Sequence, residues 1–252
     1  MTAPEGLSTV EKSLEIIQAL DTHGTAGPTE LADELGMHKS TAYTHLRTLS
    51  DHGYVVREED GYSLSFRFLK HGGTARDDCE IYHRSRESIR SLAERTGEVA
   101  NLGLMEDGRG VLVYRVKGDQ AVSDNAPVGS YTHLHATAYG KAMLAELPEG
   151  EVEEIVASEG LPQRTENTIG DEAELFERLD AIRERGYAVD REETSPGLYC
   201  VGSAITGDDD RPVGGISVSG PASKLNDTAY LQELIDQIEN EVNKIELEVM
   251  YG

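Results

Sequence analysis

Apolar residues near the start of the chain recur with the spacing of a helix. In VEKSLEIIQAL, Val10, Leu14, Ile17 and Leu20 follow one another at intervals of three and four, with Ile16 beside them. Such a spacing places all five side chains on one face of a helix. Glycines after this stretch end the pattern.

Two further helices are predicted, joined by a tight turn. Pro28 is suited to the first position of a second helix, PTELADELG, in which Leu31 and Leu35 are four apart and Gly36 marks the end. A third helix is expected over about 39–51, within HKSTAYTHLRTLSD. The turn between them is short enough for a helix-turn-helix.

The third helix is predicted to have one buried and one polar face. Ala42, Leu46 and Leu49 form the buried stripe, at positions i, i+4 and i+7. The side chains that point away from it are Ser40, Tyr43, Thr44 and Arg47. This arrangement is typical of the second helix of a helix-turn-helix, which lies in the major groove of DNA.

A hairpin is predicted directly after the third helix. In GYVVREEDGYSLS two β-prone runs flank Asp60-Gly61, a dipeptide suited to a type I′ turn. A hairpin in this position is a wing. The wing carries Glu58, Glu59 and Asp60, a poor surface beside phosphates in dilute salt. Either it contributes shape only, or high salt makes its charge tolerable.

The rest of the chain mixes helical and strand patterns. Helices are predicted over 77–96, from near Gly140, and over 151–160 and 171–186. Strands are predicted on both sides of Asp107-Gly108, as a hairpin, and over 198–206 and 213–219. These elements predict a mixed sheet flanked by helices, which is an α/β arrangement.

A long helix is predicted at the C-terminal end. Its apolar residues are spaced 4, 3, 4, 3 and 4 apart: Leu231, Ile235, Ile238, Val242, Ile245 and Val249. Packing of this stripe against its own domain is the favoured interpretation, and a contact between subunits is the alternative.

The charge of the chain bears on both its partners and its environment. There are 23 Lys and Arg, of which 7 are Lys, against 47 Asp and Glu, a net charge of −24. This acidity, with no Trp and three Phe, favours a protein that works in molar salt, where the screening length falls to roughly 3 Å. An ordinary acidic protein is the alternative. Within residues 36–57 the balance inverts to +2, which partly explains how an acidic chain could bind DNA.

Several classes of protein are disfavoured. No apolar run approaches the roughly 18 residues of a membrane span, and the first residues lack a signal-peptide pattern, so a cytoplasmic location is expected. Cys79 and Cys200 do not form a disulfide scaffold, and Cys79 with His83 cannot by themselves close a zinc site. We therefore expect no metal and no cofactor.

Catalysis is also disfavoured, although three alternatives deserve mention. Cys200 could be a nucleophile served by His133 or His135. GISVS, around Ser217, lacks the final glycine of a nucleophile elbow, and AYGKA lacks the earlier glycines of a phosphate-binding loop. We expect that the protein is not an enzyme and has no catalytic residues.

The chain resembles the IclR family of prokaryotic transcription regulators along nearly its whole length. The helix-turn-helix and wing are followed by LHATAYGKAMLA, GYAVDREETSPGLYCVGSAI and GGISVSGPASKL, each similar to a stretch of that family's effector-binding domain. The resemblance implies two domains: a winged helix-turn-helix over 1–68 and, after a linker over 69–78, an α/β, GAF-like effector-binding and oligomerisation domain over 79–252.

The resemblance also implies an effector site. In family members that bind small organic acids, the ligand meets backbone amides before the Gly-Lys pair, then an acid, a cysteine and two serines. The matching residues here are Ala138, Tyr139, Asp190, Cys200, Ser217 and Ser219. Tyr139 is larger than the residue more often found there, so ligand size is open.

Less specific interpretations of these residues stay open. Cys200 could be a buried small hydrophobe, Asp190 could only begin a turn, and Ser217 and Ser219 could face solvent. Lys141 is as well suited to a structural ion pair as to a ligand. His133 and His135 are better suited to packing.

The sequence therefore predicts a homodimeric regulator, or a dimer of dimers, that binds a double-stranded DNA operator and a small-molecule effector, an organic or sugar-derived acid. The predicted DNA contacts are Lys39, Ser40, Thr41, Tyr43, Thr44 and Arg47. The segment 67–78 is the expected joint between domains. Two alternatives are a regulator whose C-terminal domain no longer senses a ligand and a metabolic enzyme with a fused helix-turn-helix.

Overall fold

The chain folds into two compact units, Met1–Ala75 and Arg76–Gly252. The computed structural model describes residues 6–121 and 126–251. Residues 1–5, 122–125 and 252 fall within the predicted domains 1–68 and 79–252 but outside the described residues.

The N-terminal unit is a winged helix-turn-helix, as the sequence predicts. Three helices, α1 Ser8–His23, α2 Pro28–Glu34 and α3 Lys39–Asp51, are combined with the strands β1 Thr25–Ala26, β2 Val55–Arg57 and β3 Tyr62–Leu64. The strands form an antiparallel sheet in the order β1-β3-β2. The predicted bounds of α3 are confirmed.

The predicted apolar face of α1 is only partly buried. Ile16, Ala19 and Leu20 are buried, whereas Val10 and Leu14 are 52% and 53% exposed. The core of this small unit contacts only the C-terminal half of α1, although the apolar spacing begins two turns earlier.

The wing is present, but its turn is not the predicted one. Arg57 pairs with Tyr62, and the Glu58 N–H donates to the Gly61 carbonyl over 2.8 Å. The turn is therefore centred on Glu59-Asp60 rather than Asp60-Gly61, and neither Glu59 nor Asp60 has the positive φ that a type I′ turn requires.

The segment predicted as a linker, 69–78, is largely helical. It lies in α4, Arg67–Asp77, which has no buried residue. The start of α4 is anchored on Tyr54, whose ring lies 5.4 Å from that of Phe68 and whose hydroxyl lies 3.3 Å from His71 Nε2.

The C-terminal unit is built on a six-stranded sheet. Its elements are α5 Glu80–Thr96, β4 Val99–Glu106, β5 Arg109–Lys117, β6 Tyr131–His133, a short 3-10 helix Leu134–Ala136, α6 Ala138–Ala145, α7 Glu149–Glu159, α8 Glu172–Arg185, β7 Ala188–Arg191, β8 Leu198–Thr206, β9 Pro212–Pro221, α9 Ala222–Leu225 and α10 Thr228–Tyr251. The strand order is β6-β5-β4-β9-β8-β7.

Every pairing in this sheet is antiparallel, so the prediction of a mixed sheet is wrong. The hairpins β4–β5 and β8–β9 meet at the centre, where β4 pairs with β9. The predicted turn at Asp107-Gly108 is confirmed: both residues have positive φ, 49° and 76°, as a type I′ turn requires.

Helices cover both faces of the sheet. One face packs on α5 and α10, with Val201, Ile216 and Val218 in its core. The other packs on α6 and α8. The apolar stripe of α10 faces the first core, where Ile238 and Ile245 are fully buried, so the favoured interpretation of that stripe is confirmed. None of the described helices is long and apolar enough to cross a membrane.

Candidate functional site

The outer face of α3 is a compact polar surface. Lys39, Ser40, Thr44 and Arg47 are exposed, and Tyr43 is 48% exposed, whereas Thr41 is half-buried. The opposite face packs into the unit through Ala42 and Leu46, as predicted, with Leu49 partly buried.

Local contacts preset two of these side chains. The Thr44 hydroxyl donates to the Ser40 carbonyl over 2.8 Å, so its methyl group and oxygen lone pairs remain for a partner. The Arg47 guanidinium lies 3.8 Å from the Asp51 carboxylate, and both are largely exposed. Such an exposed pair contributes little stability, so Arg47 can exchange Asp51 for another anion at small cost.

The C-terminal unit contains a cavity of about 410 Å³ between the sheet, the start of α6 and three loops. All six residues predicted to contact an effector line it: Ala138, Tyr139, Asp190, Cys200, Ser217 and Ser219. Three residues that sequence reasoning did not select also line it on the sheet and loops: Asn101, Arg115 and Arg164.

Strand register explains why distant residues meet on the cavity floor. Asp190 pairs with Cys200, and Cys200 pairs with Ser219, which forms one row across β7, β8 and β9. Two residues along, Ser217 pairs with Asn101, which begins a second row. Since alternate residues of a strand share a face, both rows point to the α6 side of the sheet.

The second row orients the hydroxyl groups. Asn101 Nδ2 donates to Ser217 Oγ and Ser219 Oγ over 3.4 and 3.1 Å. Because each serine oxygen accepts from Asn101, each hydroxyl hydrogen can be donated elsewhere. The serines are only 2% and 4% exposed, so the alternative that they face solvent is wrong.

The start of α6 adds backbone N–H donors to the part of the cavity that contains Ser217 and Ser219. Thr137 Oγ1 accepts from the Gly140 N–H over 3.1 Å and caps the helix. The N–H groups of Ala138 and Tyr139 belong to the first turn, where no carbonyl of the helix can accept them. Together with the partial positive charge of a helix N-terminus, they favour an anion.

The size of Tyr139 is accommodated by glycine. A Cβ at Gly103 would lie 2.2 Å from the Tyr139 ring, so the ring occupies the space that a side chain on β4 would fill. The Tyr139 hydroxyl lies 3.0 Å from Thr132 Oγ1. The ring is therefore held against the sheet by neighbours on both β4 and β6.

The other end of the cavity is an acceptor. The Asp190 carboxylate accepts from the Glu193 N–H and the Thr194 hydroxyl, both over 2.7 Å. Asp190 thus shapes a turn, as the less specific interpretation proposes, and also lines the cavity. Burial raises its pKa, and the Lys141 ammonium opposes that change.

Cys200 lacks the properties of a nucleophile. Burial raises the pKa of its thiol well above the ordinary value, and the neighbouring Asp190 carboxylate raises it further. Catalytic cysteines need a thiolate, and here the thiol stays protonated. His133 and His135, the suggested bases, do not line this cavity. Within the described ranges, no group of three or more His, Cys, Asp or Glu could hold a metal.

The cavity residues that sequence analysis did not select differ in how strong a signal the sequence gives for them. Asn101 interrupts the apolar run VANLGLM, and a polar side chain inside a buried strand is a signal that could have been used. Arg115 and Arg164 give no such signal, because the place of Arg115 depends on the register of β5 with β4, and that of Arg164 on how the α7–α8 loop folds over the sheet.

Comparison with known proteins agrees with this architecture. The IclR helix-turn-helix domain model matches residues 9–59, and the model of the bacterial IclR C-terminal domain matches 74–247. A probable HTH-type transcriptional regulator ArcR from Halobacterium salinarum is 31% identical over 97% of this chain and 94% of its own.

Solved structures show the same arrangement. The crystal structure of the Thermotoga maritima IclR has a TM-score of 0.82 and 31% identity, over 98% of this chain and all of that one. An IclR homolog from Microbacterium hydrocarbonoxydans, complexed with 4-hydroxybenzoate, has a TM-score of 0.79 over 96% of this chain and 98% of that one. At 19% identity, the latter shows the fold alone.

Proposed function

The chain belongs to the IclR family of DNA-binding transcriptional regulators with an effector-binding C-terminal domain, and we propose that its cavity binds a small hydroxylated organic acid that alters operator binding. Because its relatives are regulators, the expectation that the chain is not an enzyme is confirmed.

The observation that carries the proposed ligand class is the separation of donors and acceptors in the cavity. One end offers the Ser217 and Ser219 hydroxyls and the first amides of α6, all donors suited to a carboxylate. The other end offers Asp190, an acceptor suited to a ligand hydroxyl. A hydroxy acid, including a sugar-derived acid, satisfies both ends.

Size and a structural neighbour support this class. A cavity of about 410 Å³ lies at the small end of the range for ligand pockets, which runs from roughly 300 to 1,000 Å³. The Microbacterium hydrocarbonoxydans homolog is complexed with 4-hydroxybenzoate, itself a hydroxylated carboxylate.

Regulation requires that the ligand distinguish two states of the protein. An effector can change DNA affinity only by as much as its affinity differs between the two states. We place the joint at 67–78, where α4 has no buried residue to hold it in one arrangement. The proposed boundaries are 1–68, 69–78 and 79–252.

The proposed DNA contacts lie on the outer face of α3. Lys39 and Arg47 contact phosphates or guanine edges, and Ser40, Thr41, Tyr43 and Thr44 approach base edges or the backbone. Their exposure on one helix face supports this assignment, with Thr41 the least accessible.

A second copy of the chain is the proposed partner, in a homodimer or a dimer of dimers. Two recognition helices on a pseudo-palindromic operator read two half-sites. The exposed ridge of α1, Leu7, Val10 and Leu14, supports such a contact, because these apolar side chains are 76%, 52% and 53% exposed at helical spacing.

The setting proposed for this regulator is the cytoplasm of a salt-loving cell. A regulator that binds an operator must be in the compartment that holds the chromosome, which supports the cytoplasm. Two observations support a salt-loving cell. The chain has 47 Asp and Glu against 23 Lys and Arg, and a similar regulator is found in Halobacterium salinarum.

Thermal stability in the presence of small acids tests the proposal. We expect glycolate, glycerate, gluconate or 4-hydroxybenzoate to raise the Tm, because a ligand that binds only the folded state stabilises it. Glycerol serves as the neutral counterpart of glycerate. The double variant Ser217→Val/Ser219→Val should fold and bind DNA but show no such increase.

If no acid raises the Tm while DNA binding is intact, the alternative of a C-terminal domain that no longer senses a ligand is favoured. If the double variant loses both DNA binding and stability, the serines hold the fold rather than the ligand.

A further inference from the structure

A buried ion pair lies behind the cavity. Lys141, on α6, has no exposed side-chain area, and the side chain of Glu193 is 6% exposed. Lys141 Nζ donates to Glu193 Oε2. Neither residue lines the cavity of about 410 Å³, so the proposed ligand contacts do not account for the pair.

The pair joins two walls of the cavity. Lys141 is one turn beyond Ala138, the first residue of α6, which lines one wall. Glu193 is in the turn after β7, and its N–H donates to Asp190 Oδ1 over 2.7 Å. The acceptor end of the cavity is therefore tied to the donor end through Lys141 and Glu193.

The turn that carries Glu193 needs such support. Glu192 has a φ of 61°, in the left-handed region, which costs a non-glycine residue roughly 1 kcal/mol or more. Hydroxyls of the α7–α8 loop hold two of its carbonyls: Thr165 Oγ1 donates to Glu192 over 2.7 Å, and Thr168 Oγ1 to Glu193 over 2.6 Å. The ion pair connects this turn to α6.

A contribution to folding stability does not account well for the Lys141–Glu193 ion pair. Removing two charges from water costs about as much as their attraction returns, so replacing a buried pair with uncharged residues is often neutral. Burial lowers the pKa of Lys141, an effect that the Glu193 and Asp190 carboxylates oppose.

We infer that Lys141 and Glu193 are positioning residues for the effector cavity: they hold the turn that carries Asp190 at a fixed distance from the first turn of α6. The inference rests on the proposed function, since positioning matters only if a ligand spans the two ends. Lys141 also opposes the rise in the pKa of the Asp190 carboxylate that burial causes, which favours its role as an acceptor for a ligand hydroxyl.

Several titratable or charged groups lie around Asp190. They include Lys141 on α6, Glu193 in the turn and Cys200 on β8, and the same cavity is also lined by Arg115 and Arg164. Arg178, on α8, adds positive charge behind Lys141. Among the influences on Asp190, the Lys141 charge is the largest that opposes burial.

The test uses the full chain with Glu193→Gln and with Lys141→Met/Glu193→Gln. The double variant removes both charges with little change of volume, whereas the single variant keeps the Lys141 charge. If the double variant does not fold, Lys141→Met/Glu193→Leu takes its place, because apolar residues of similar volume often replace a buried ion pair without loss of stability. Glu241→Gln is the matched control, because the Glu241 side chain is 2% exposed and pairs with Arg95 on the other side of the sheet.

The first readout is the Kd for the acid of the panel that stabilises the wild type most. We expect the double variant to keep a Tm close to the wild type and to bind about tenfold to a hundredfold more weakly, as when a charged hydrogen bond is lost. Glu241→Gln should bind normally. Binding within twofold in a folded double variant would overturn the inference.

The second readout needs no ligand. The carboxylic-acid C=O band of Asp190 is identified by infrared spectroscopy as the band that Asp190→Asn abolishes. We expect its midpoint in the double variant at a pH at least about one unit higher than in Glu193→Gln, because the two proteins differ only in the Lys141 charge. If no acid binds the wild type, the proposed function fails, and the infrared readout alone tests the inference. A band that appears at the same pH in the compared proteins would refute the inference.

Discussion

At the scale of single residues, register rather than proximity in sequence builds the cavity. Asp190, Cys200 and Ser219 share a row because three strands pair in a fixed alignment. The family resemblance selected these residues, but nothing in their spacing predicts that Asn101 would face them from β4. A buried polar side chain can be recognised in a sequence, whereas its partner cannot.

Arg47 allows a residue-scale test of the DNA surface. Arg47→Ala should weaken operator binding by roughly 1–3 kcal/mol if the guanidinium reads a guanine. Fluorescence anisotropy with a labelled operator measures this change. Arg211→Ala is a suitable control, since Arg211 pairs with Glu151 in the C-terminal unit. An unchanged affinity would show that α3 does not lie in the groove as proposed.

His135 predicts a pH dependence of stability. Its burial lowers the pKa of the imidazole to about 4, below the ordinary value of 6.5. The unfolded chain therefore takes up a proton below pH 6.5 that the folded chain takes up only near 4. The stabilisation is complete above pH 6.5, and roughly 3 kcal/mol of it is lost as the pH falls toward 4.

The variant His135→Gln isolates this contribution. The pKa values of Asp190 and Glu193 are raised by burial, so these groups change stability with pH in the opposite direction, equally in both proteins. Urea unfolding at several pH values should show the extra loss in the wild type alone. Parallel pH profiles would contradict the assignment.

At the scale of elements, the sequence predicts helices better than it predicts which of their faces are covered. The predicted bounds of α3 and the predicted packing of the α10 stripe on its own domain are confirmed, because each helix packs against the core of its own unit. The apolar face of α1 is only partly buried, and apolar spacing reveals a stripe without revealing how far the core extends. The antiparallel sheet was missed for a similar reason: strand order depends on long-range pairing.

The exposed ridge of α1 makes an element-scale prediction about assembly. Val10→Ser/Leu14→Ser should leave the stability of the folded chain nearly unchanged, because both side chains are about half exposed. If the ridge is a subunit contact, the lost apolar burial weakens the dimer at least about tenfold. Sedimentation equilibrium measures this constant.

Leu247→Ser is the control for that experiment, since Leu247 is 56% exposed on α10 in the other unit. A dimer constant that is the same in the wild type and the α1 variant would exclude the ridge from the interface.

At the scale of the whole molecule, we propose that this acidic protein binds DNA through a small region whose charge is opposite to that of the rest of the chain. Residues 36–57 carry a net charge of +2 within a chain of −24. At about 1 M salt the screening length is roughly 3 Å, so distant carboxylates hardly oppose this patch, while direct contacts to DNA persist. The acidic residues Glu58, Glu59 and Asp60 of the wing become tolerable under the same conditions.

The most direct test of the account is the affinity of the full chain for DNA from upstream of its own gene, with and without the stabilising acid. Fluorescence anisotropy at about 1 M KCl, beside a scrambled duplex, provides it. We predict specific binding whose Kd changes about fivefold or more with the acid, and no such change in Ser217→Val/Ser219→Val. Specific binding that every acid in the panel leaves unchanged, although the acid binds, would contradict the account.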